Sequence, residues 1–291
     1  MAGLVVRPRA RILHGHDWIY GTEVLKTFGN PADGAVISIK DGRDRMLGSA
    51  IYNSRSQIVA RRFSRRRQDL DAEFFLRRLE RANGFRDALG VDPAVRRVVW
   101  SESDGLPGVI ADRFGPLATL QTLTMAMDLR RDLIAAAVRE VLGVESVVER
   151  NDSSSRKAEG LEVRTGTLLG PEPGELVIEV AGMKFHLDAL GGQKTGFYLD
   201  QTASYRRVAA WARGKRVLDC FSNQGAFAIA CAQAGAASVR AVESGRENLP
   251  RIEANARLNG VEVEVCGGDA FEVLSTCLLY TSPSPRDQRG S

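Results

Sequence analysis

The sequence is poor in cysteine and has no long hydrophobic run. Its 291 residues include 4 cysteines that lack the paired spacing of a metal site. We therefore expect no metal, no disulfide scaffold and a cytoplasmic location. No apolar segment approaches the about 20 residues that span a bilayer, so we expect no membrane association. Arginines at Arg7, Arg9 and Arg11 exclude a secretory signal.

Charge is small in total but unevenly distributed. The net charge is +4, yet residues 1–67 carry 13 Lys and Arg against 5 Asp and Glu, a net charge of +8. The remaining residues sum to −4. A basic N-terminal region indicates a polyanionic partner such as nucleic acid. A solvated basic face is the alternative that charge alone leaves open.

Hydrophobic patterning divides the first part of the chain into two regions. Residues 4–67 contain short alternating or β-branched segments separated by turn signals, which predicts a small β-barrel. A helix beginning near Asp69, further strands and a second helix near 128–142 predict a central α+β domain. For that second helix we predict one apolar face, made of Leu129, Leu133, Ile134, Ala137, Val138 and Val141.

From about residue 202 the pattern becomes βαβ. Predicted strands at 216–220, 238–243 and 261–265 alternate with predicted helices at 205–212, 226–234 and 247–259. This alternation is typical of a parallel, doubly wound α/β sheet.

Acidic residues stand at the end of each predicted parallel strand. Asp219 precedes a loop with Gly225 at the start of a helix, Glu243 ends the second strand, and Asp269 follows the third. The loop is not a G-x-G-x-x-G dinucleotide cradle. These three carboxylates fit S-adenosylmethionine (SAM). Asp219 would suit its cationic end, Glu243 its ribose hydroxyls and Asp269 its adenine amino group. Alternatively, Asp219 and Asp269 cap helices and Glu243 is a surface residue.

Several segments resemble one enzyme family. Val217–Phe227 (VLDCFSNQGAF) resembles the first motif of class I, SAM-dependent methyltransferases that modify cytosine C5 in large-subunit (23S) ribosomal RNA. Residues 192–201 (GQKTGFYLDQ) resemble a second segment of that family. Arg7–Arg9 and His16–Tyr20 resemble its RNA-binding PUA barrel. Its central domain is matched by Ser103–Arg113 and Val148–Arg150, so the resemblance extends from residue 4 to about 274.

The resemblance implies a mixed fold and a set of cofactor contacts. We expect a PUA-like barrel at 1–67, a central α+β domain at 68–180 and the first part of a Rossmann-like methyltransferase domain at 181–276. Asp219, Phe221 and Gly225 would line the methionine end, Glu243 would hold the ribose, and Asp269 would bind adenine. The residues expected to close over the cofactor are Lys194, Thr195, Gly196 and Gln201. Without the resemblance, that segment is better interpreted as a turn that leads into a helix.

Residues 277–291 interrupt the α/β pattern with a Ser, Pro and Arg tail. Their back-translation resembles a sequencing-library adapter, so we interpret them as non-native; a natural disordered tail is the alternative. Methylation of cytosine C5 needs a cysteine thiolate, which in the family lies on later strands. We therefore name no catalytic residue and expect this chain to be inactive as a truncated form. The remaining Cys220, Cys231 and Cys266 are poor substitutes.

An arginine run ends the predicted barrel and is the candidate ribosomal RNA contact, with a solvated linker as the alternative. The run comprises Arg61, Arg62, Arg65, Arg66 and Arg67. A homodimer is one assembly that the sequence leaves open. Two other functions also stay open at this point: methylation of a base nitrogen, and RNA binding without catalysis.

Overall fold

The computed structural model describes residues 2–192 and 195–278. The chain divides into two compact units, the first formed by Met1–Gly174 with Asp188–Phe197 and the second by Glu175–Leu187 with Tyr198–Ser291. In the part of the chain that the structure describes, no helix is both long and apolar enough to cross a membrane.

The first unit begins with a six-stranded, barrel-like sheet, which confirms the predicted β region. Its strands are β1 (Gly3–Val6), β2 (Trp18–Tyr20), β3 (Val24–Phe28), β4 (Val36–Lys40), β5 (Met46–Tyr52) and β6 (Ile58–Ser64). Their order is β2-β6-β5-β4-β1-β3, and only the β1–β4 pair is parallel. Strand β2 has three residues and β3 is largely exposed, so neither has the alternation that identified the other four.

A second sheet and two longer helices complete this unit as an α+β layer. The strands are β7 (Val95–Trp100), β8 (Val109–Phe114), β9 (Leu117–Thr122), β10 (Ser146–Asn151) and β11 (Arg164–Leu169), in the order β11-β10-β9-β8-β7. The helices are α1 (Ala72–Ala88), α2 (Met125–Asp128), α3 (Arg131–Leu142) and α4 (Ser155–Ala158). Helices α1 and α3 pack together over a core that also includes Ile51 and Phe63 of the first sheet.

The helix predicted near 128–142 is α3, which begins three residues later, at Arg131. The short helix α2 before it ends at Asp128, and the buried Asp128 carboxylate pairs with Arg156 and Arg164. Leu129 and Leu133, predicted on the apolar face, are 66% and 44% exposed. Ile134, Ala137 and Val138 are buried as predicted, Val141 is partly buried against the core, and Ala135 and Leu142 are buried in addition.

The second unit contains an antiparallel hairpin and a parallel α/β layer. The hairpin strands are β12 (Leu176–Val180) and β13 (Met183–Leu187), so the predicted domain boundary at residue 180 falls at its turn. The parallel sheet has the order β14 (Arg216–Cys220), β15 (Ser238–Glu243) and β16 (Glu264–Gly267). The helices are α5 (Thr202–Ala209), α6 (Ala226–Gln233), α7 (Leu249–Leu258) and α8 (Ala270–Leu278).

One face of the parallel sheet is covered by α6 and α7. Val239 and Ala241 are buried there against Ala228, Cys231 and Ile252. The hairpin is joined to α7 because Asn255 Oδ1 accepts a hydrogen bond of 2.9 Å from the His186 backbone N–H. The parallel α/β prediction is confirmed, with the third strand three residues later than expected.

Candidate cofactor site at the strand ends

The three parallel strands end at the same edge of their sheet. Cys220 pairs with Val242, and Glu243 pairs with Gly267. The loops that follow the strands therefore leave the sheet side by side. In open parallel sheets, ligands bind in the crevice beyond these carboxyl ends.

Asp219 points from the end of β14 to the start of α6. Its Oδ2 accepts hydrogen bonds from the Ser222 hydroxyl at 2.7 Å and from the Ala228 backbone N–H at 3.1 Å. Burial raises the pKa of the Asp219 carboxyl above its ordinary value, and the nearby Glu243 charge adds to the rise. Among the described residues no cation pairs with Asp219, so a positively charged ligand group would stabilise its charged form.

The loop between β14 and α6 is held in a rarely populated backbone conformation. Phe221, Asn223 and Gly225 have φ values of 62°, 52° and 84°. The first two are left-handed residues that have a side chain, a form of strain that clusters at ligand sites. A Cβ on Gly225 would lie 3.0 Å from Ile252 Cγ2 on a left-handed backbone, so a residue with a side chain is strained where α6 begins.

Glu243 joins the first two loops. Its Oε2 accepts from the Asn223 N–H and its Oε1 from the Gly245 N–H, both at 2.7 Å. The Nδ2 of Asn248 is buried without a hydrogen-bond partner among the described residues. It lies 3.0 Å from the position that a Cβ on Gly245 would occupy. The Glu243 carboxylate can accept hydrogen bonds from the hydroxyl groups of a ligand, and Asn248 Nδ2 can donate one to a hydroxyl oxygen. Gly245, which has no side chain, leaves room for such a ligand.

Asp269 caps the last described helix. Its Oδ1 accepts from the Phe271 N–H at 2.8 Å and the Glu272 N–H at 3.2 Å. This is the geometry of the capping alternative, and it leaves Oδ2 without a protein donor in the described ranges. Asp269 can therefore cap α8 with Oδ1 and accept a hydrogen bond from a ligand with Oδ2.

Phe271 is a site residue that the sequence reasoning missed. Its ring meets that of Phe221 edge to face, with centroids 5.9 Å apart, and the two residues are 69% and 62% exposed. Two exposed rings at the strand ends offer an apolar surface for a planar group. The one available signal was an aromatic residue two positions after Asp269.

Tyr198 and Gln201 belong to the same unit as the parallel sheet. Gln201 ends a single helical turn at Leu199–Gln201 that leads into α5. Burial, together with the charges of Asp200 and Glu243, raises the pKa of the Tyr198 phenol. The structure thus brings Tyr198 within electrostatic reach of Glu243.

Thr195 and Gly196 lie in the other compact unit. Thr195 is 1% exposed, and its hydroxyl donates to the Asp112 carboxylate, which also receives Arg97. Lys194 lies outside the described residues. The expectation that these three residues close over the cofactor stays a prediction.

The structure separates the predicted arginine run into two groups, so it is not one exposed surface. Arg62 is 6% exposed in its side chain and pairs with Asp17 at 2.7 Å, and Arg61 pairs with Glu102 at 2.9 Å. Both guanidinium groups are therefore used inside the unit. Arg65–Arg67 are exposed, and their contact with RNA phosphates stays a prediction.

The described ranges contain no metal cluster, and three cysteine side chains are described in them. No group of three or more His, Cys, Asp or Glu side chains there could hold a metal ion. Cys220, Cys231 and Cys266 are free thiols. Burial raises the pKa of the Cys231 thiol, with the Asp219 charge adding to the rise, so it is a poor nucleophile.

Comparison with known proteins gives two family matches and close relatives. Residues 7–65 match a PUA-like domain and residues 164–276 match a SAM-dependent methyltransferase domain. Ribosomal RNA large subunit methyltransferase I of Aeromonas salmonicida is 37% identical over 90% of this chain and 68% of its own length. The protein of that name from Yersinia pestis is 35% identical, with the same coverage.

Solved structures share the fold. A protein described as a SAM-dependent methyltransferase from Streptococcus mutans has a TM-score of 0.81 at 21% identity, over 96% of this chain and 74% of its own. A methyltransferase crystallised with S-adenosylhomocysteine has a TM-score of 0.81 at 21% identity, over 96% of this chain and 73% of its own.

Proposed function

Because the chain belongs to the family of ribosomal RNA large subunit methyltransferase I, we propose that it methylates large-subunit ribosomal RNA. Its cofactor is SAM, as the methyltransferase domain over residues 164–276 establishes. The observation that supports the assignment most is the alignment of Asp219, Glu243 and Asp269 at one edge of a parallel sheet.

The methionine end of SAM carries an ammonium and a carboxylate, and the β14 loop offers a partner for each. Asp219 has a raised pKa and no cationic partner in the described chain, so an ammonium would stabilise its ionised form. The first turn of α6, which starts after Gly225, presents backbone N–H groups to a carboxylate. Phe221 places an exposed ring beside this loop.

The nucleoside end would use the second and third strand ends. Glu243 accepts ribose hydroxyls in this proposal, and the buried Nδ2 of Asn248 supplies the donor that a hydroxyl oxygen needs. The Phe221 and Phe271 rings cover the adenine, and the second oxygen of Asp269 accepts from its amino group. We propose Gln201 as a further contact, on the turn that precedes α5.

When bound, SAM supplies a methyl group on a positively charged sulfur. The chain's own residues orient it: Asp219 and Glu243 hold its two ends, and the strained loop between them fixes their separation. Fixed orientation lowers the barrier to methyl transfer by removing translational and rotational freedom from the reacting pair.

For the target atom we propose cytosine C5. This carbon becomes nucleophilic only after a thiolate adds to C6 of the ring, so the mechanism requires an accessible cysteine of lowered pKa. Cys231 is buried with a raised pKa, and we assign no catalytic residue to this chain. The base must leave its helix or be unpaired to reach a methyl donor at the strand ends.

Nucleoside mass spectrometry tests the target atom. Large-subunit ribosomal RNA from cells in which this gene is disrupted should lose one 5-methylcytidine, and the undisrupted gene should restore it. Expression of residues 1–291 alone should not restore it, because no catalytic cysteine is assigned within them. Loss of an N-methylated base instead would favour the alternative of nitrogen methylation. An unchanged set of methylated bases would contradict an enzymatic role and favour RNA binding alone.

Calorimetry with SAM tests the cofactor site. Glu243→Gln should weaken SAM binding about ten- to hundredfold, since a charge-assisted hydrogen bond contributes about 1.5–3 kcal/mol. Glu264→Gln is the matched control, because Glu264 lies in the same sheet in an exposed pair with Arg240. An equal effect of both substitutions, or none, would contradict the placement of the ribose at Glu243.

A further inference from the structure

An open groove runs along α1 in the first unit, opposite the turn at 101–105. Its volume is about 360 Å³, at the lower end of the range of small-ligand sites. In the sequence, the residues that line the groove fall between the two ranges matched by the family models, 7–65 and 164–276. The lining residues that matter for binding are Arg78, Arg81, Phe85, Glu102 and Asp104.

Two arginines in this groove carry uncompensated charge. Within 2–192 and 195–278, no carboxylate forms an ion pair with Arg78 or Arg81. Arg78 donates to the Phe63 carbonyl at 3.0 Å and lies over the Phe74 ring at 5.3 Å. Burial lowers the pKa of Arg78, and the charges of Arg81 and Arg77 add to the effect. A bound anion would relieve this repulsion.

The two acidic residues of the lining are engaged elsewhere. The Asp104 carboxylate accepts hydrogen bonds from both terminal nitrogens of Arg86, the one from Nη2 at 2.8 Å. Glu102 receives the Trp18 indole N–H at 2.8 Å and Arg61 Nη1 at 2.9 Å. Both carboxylates are therefore paired within the unit, whereas Arg78 and Arg81 have no carboxylate partner among the described residues.

Two exposed aromatic rings belong to the same unit as Arg78 and Arg81. Phe85 is 56% exposed in the groove, with the Arg86 guanidinium 5.6 Å from its ring centroid. Trp100 is 47% exposed, and its backbone N–H donates to Asp104 at 2.6 Å. The Arg97 guanidinium lies 4.6 Å from its ring. Each ring thus has a supporting guanidinium and substantial exposed surface.

We propose that this groove binds single-stranded RNA, as a contact outside the PUA-like domain and the methyltransferase domain. A base stacks on Phe85, Arg78 and Arg81 hold the neighbouring phosphates, and Trp100 offers a second stacking surface. The proposal rests on the proposed function in that it takes RNA as the substrate. A base with its neighbouring phosphates matches a groove in which α1 presents the exposed Phe85 ring together with Arg78 and Arg81. A duplex conceals the faces of its bases, and an acidic peptide would use the arginines alone.

Binding of a fluorescently labelled, single-stranded RNA oligonucleotide of mixed sequence tests the groove. Phe85→Ala should weaken its binding to the full chain about tenfold, and Arg81→Gln should weaken it and reduce its salt dependence. Phe85→Tyr should keep wild-type affinity, because it retains the stacking ring. The matched controls are Leu89→Ala, an exposed apolar residue one turn further along, and Arg139→Gln, an exposed arginine on α3.

Three outcomes would overturn the inference. RNA binding unchanged in Phe85→Ala and Arg81→Gln would place the RNA elsewhere. Equal loss of heparin binding in Phe85→Ala would indicate a site for any acidic chain, and equal affinity for duplex RNA would exclude stacking. SAM calorimetry on the same protein keeps the two proposals separate, because the groove can fail while SAM still binds.

Discussion

The two compact units use their charged residues in opposite ways. In the first unit, buried carboxylates are paired with guanidinium groups, as Asp128 is with Arg156 and Asp104 with Arg86. In the second, Asp219 and Glu243 accept only hydroxyl and backbone N–H groups among the described residues. A guanidinium partner neutralises the charge of a carboxylate and stabilises the fold. A carboxylate that accepts only from neutral donors has a charge that a cationic ligand group can still neutralise.

The largest effect should come from breaking a pair in the first unit. Asp128→Ala leaves the fully buried Arg156 without its counter-charge, so it should lower the free energy of unfolding by about 3–5 kcal/mol. Asp269→Ala in the second unit removes only a helix cap and should cost about 1 kcal/mol. Urea denaturation measures both, and similar losses would remove the contrast between the units.

A smaller loss is expected from Gly225→Ala. The left-handed backbone costs a residue with a Cβ about 1–2 kcal/mol, and the contact with Ile252 adds to this. Gly235→Ala is the matched control, since Gly235 has a φ of 86° but only one neighbouring atom, at 4.0 Å. Only Gly225→Ala should also weaken SAM binding. An equal change in both variants would show that the loop has no role in the site.

The Asp219 carboxyl gives a prediction about pH. Its pKa in the folded chain is raised by burial, so its contribution favours the folded state at low pH and is lost as pH rises through that pKa. Asp219→Asn does not titrate, so it should be more stable than wild type at neutral pH and lose this advantage in acid. It should also bind SAM more weakly. Thermal unfolding across pH checks the first point, and a variant less stable at every pH would contradict it.

The smallest predicted effect concerns the exposed end of the arginine run. Replacing Arg65, Arg66 and Arg67 with Gln should reduce the salt dependence of RNA affinity by about two in log–log slope. Arg62→Gln should lower stability instead, because Arg62 is buried with Asp17. If Arg62→Gln changed the slope as much as the triple substitution, the division of the run would be wrong.

Local patterns predicted the parallel layer well and long-range pairing poorly. Strands β14 and β15 have the predicted bounds, because glycine-containing turns flank each of them: β14 lies between Gly214 and Gly225, and β15 between Gly235 and Gly245. The pairing of Asp128 with Arg156 and Arg164 was not predictable, because these arginines lie about thirty residues away in the sequence. For the same reason nothing local distinguished the paired Arg62 from the exposed Arg65.

The sequence predicted which carboxylates stand at the strand ends, but not the other side chains beside them. The end of each strand identified Asp219, Glu243 and Asp269, since parallel strands place their carboxyl ends together. Phe271 and Asn248 were missed because exposure and an unmet hydrogen bond depend on the folded chain.

Hydrogen–deuterium exchange with and without SAM tests the central claim most directly. SAM should protect backbone amides in three loops, at residues 221–225, 243–248 and 268–271, and leave amides around the Asp128 pair unchanged. Protection that spared all three loops, or fell only on the first unit, would contradict a SAM site at the strand ends.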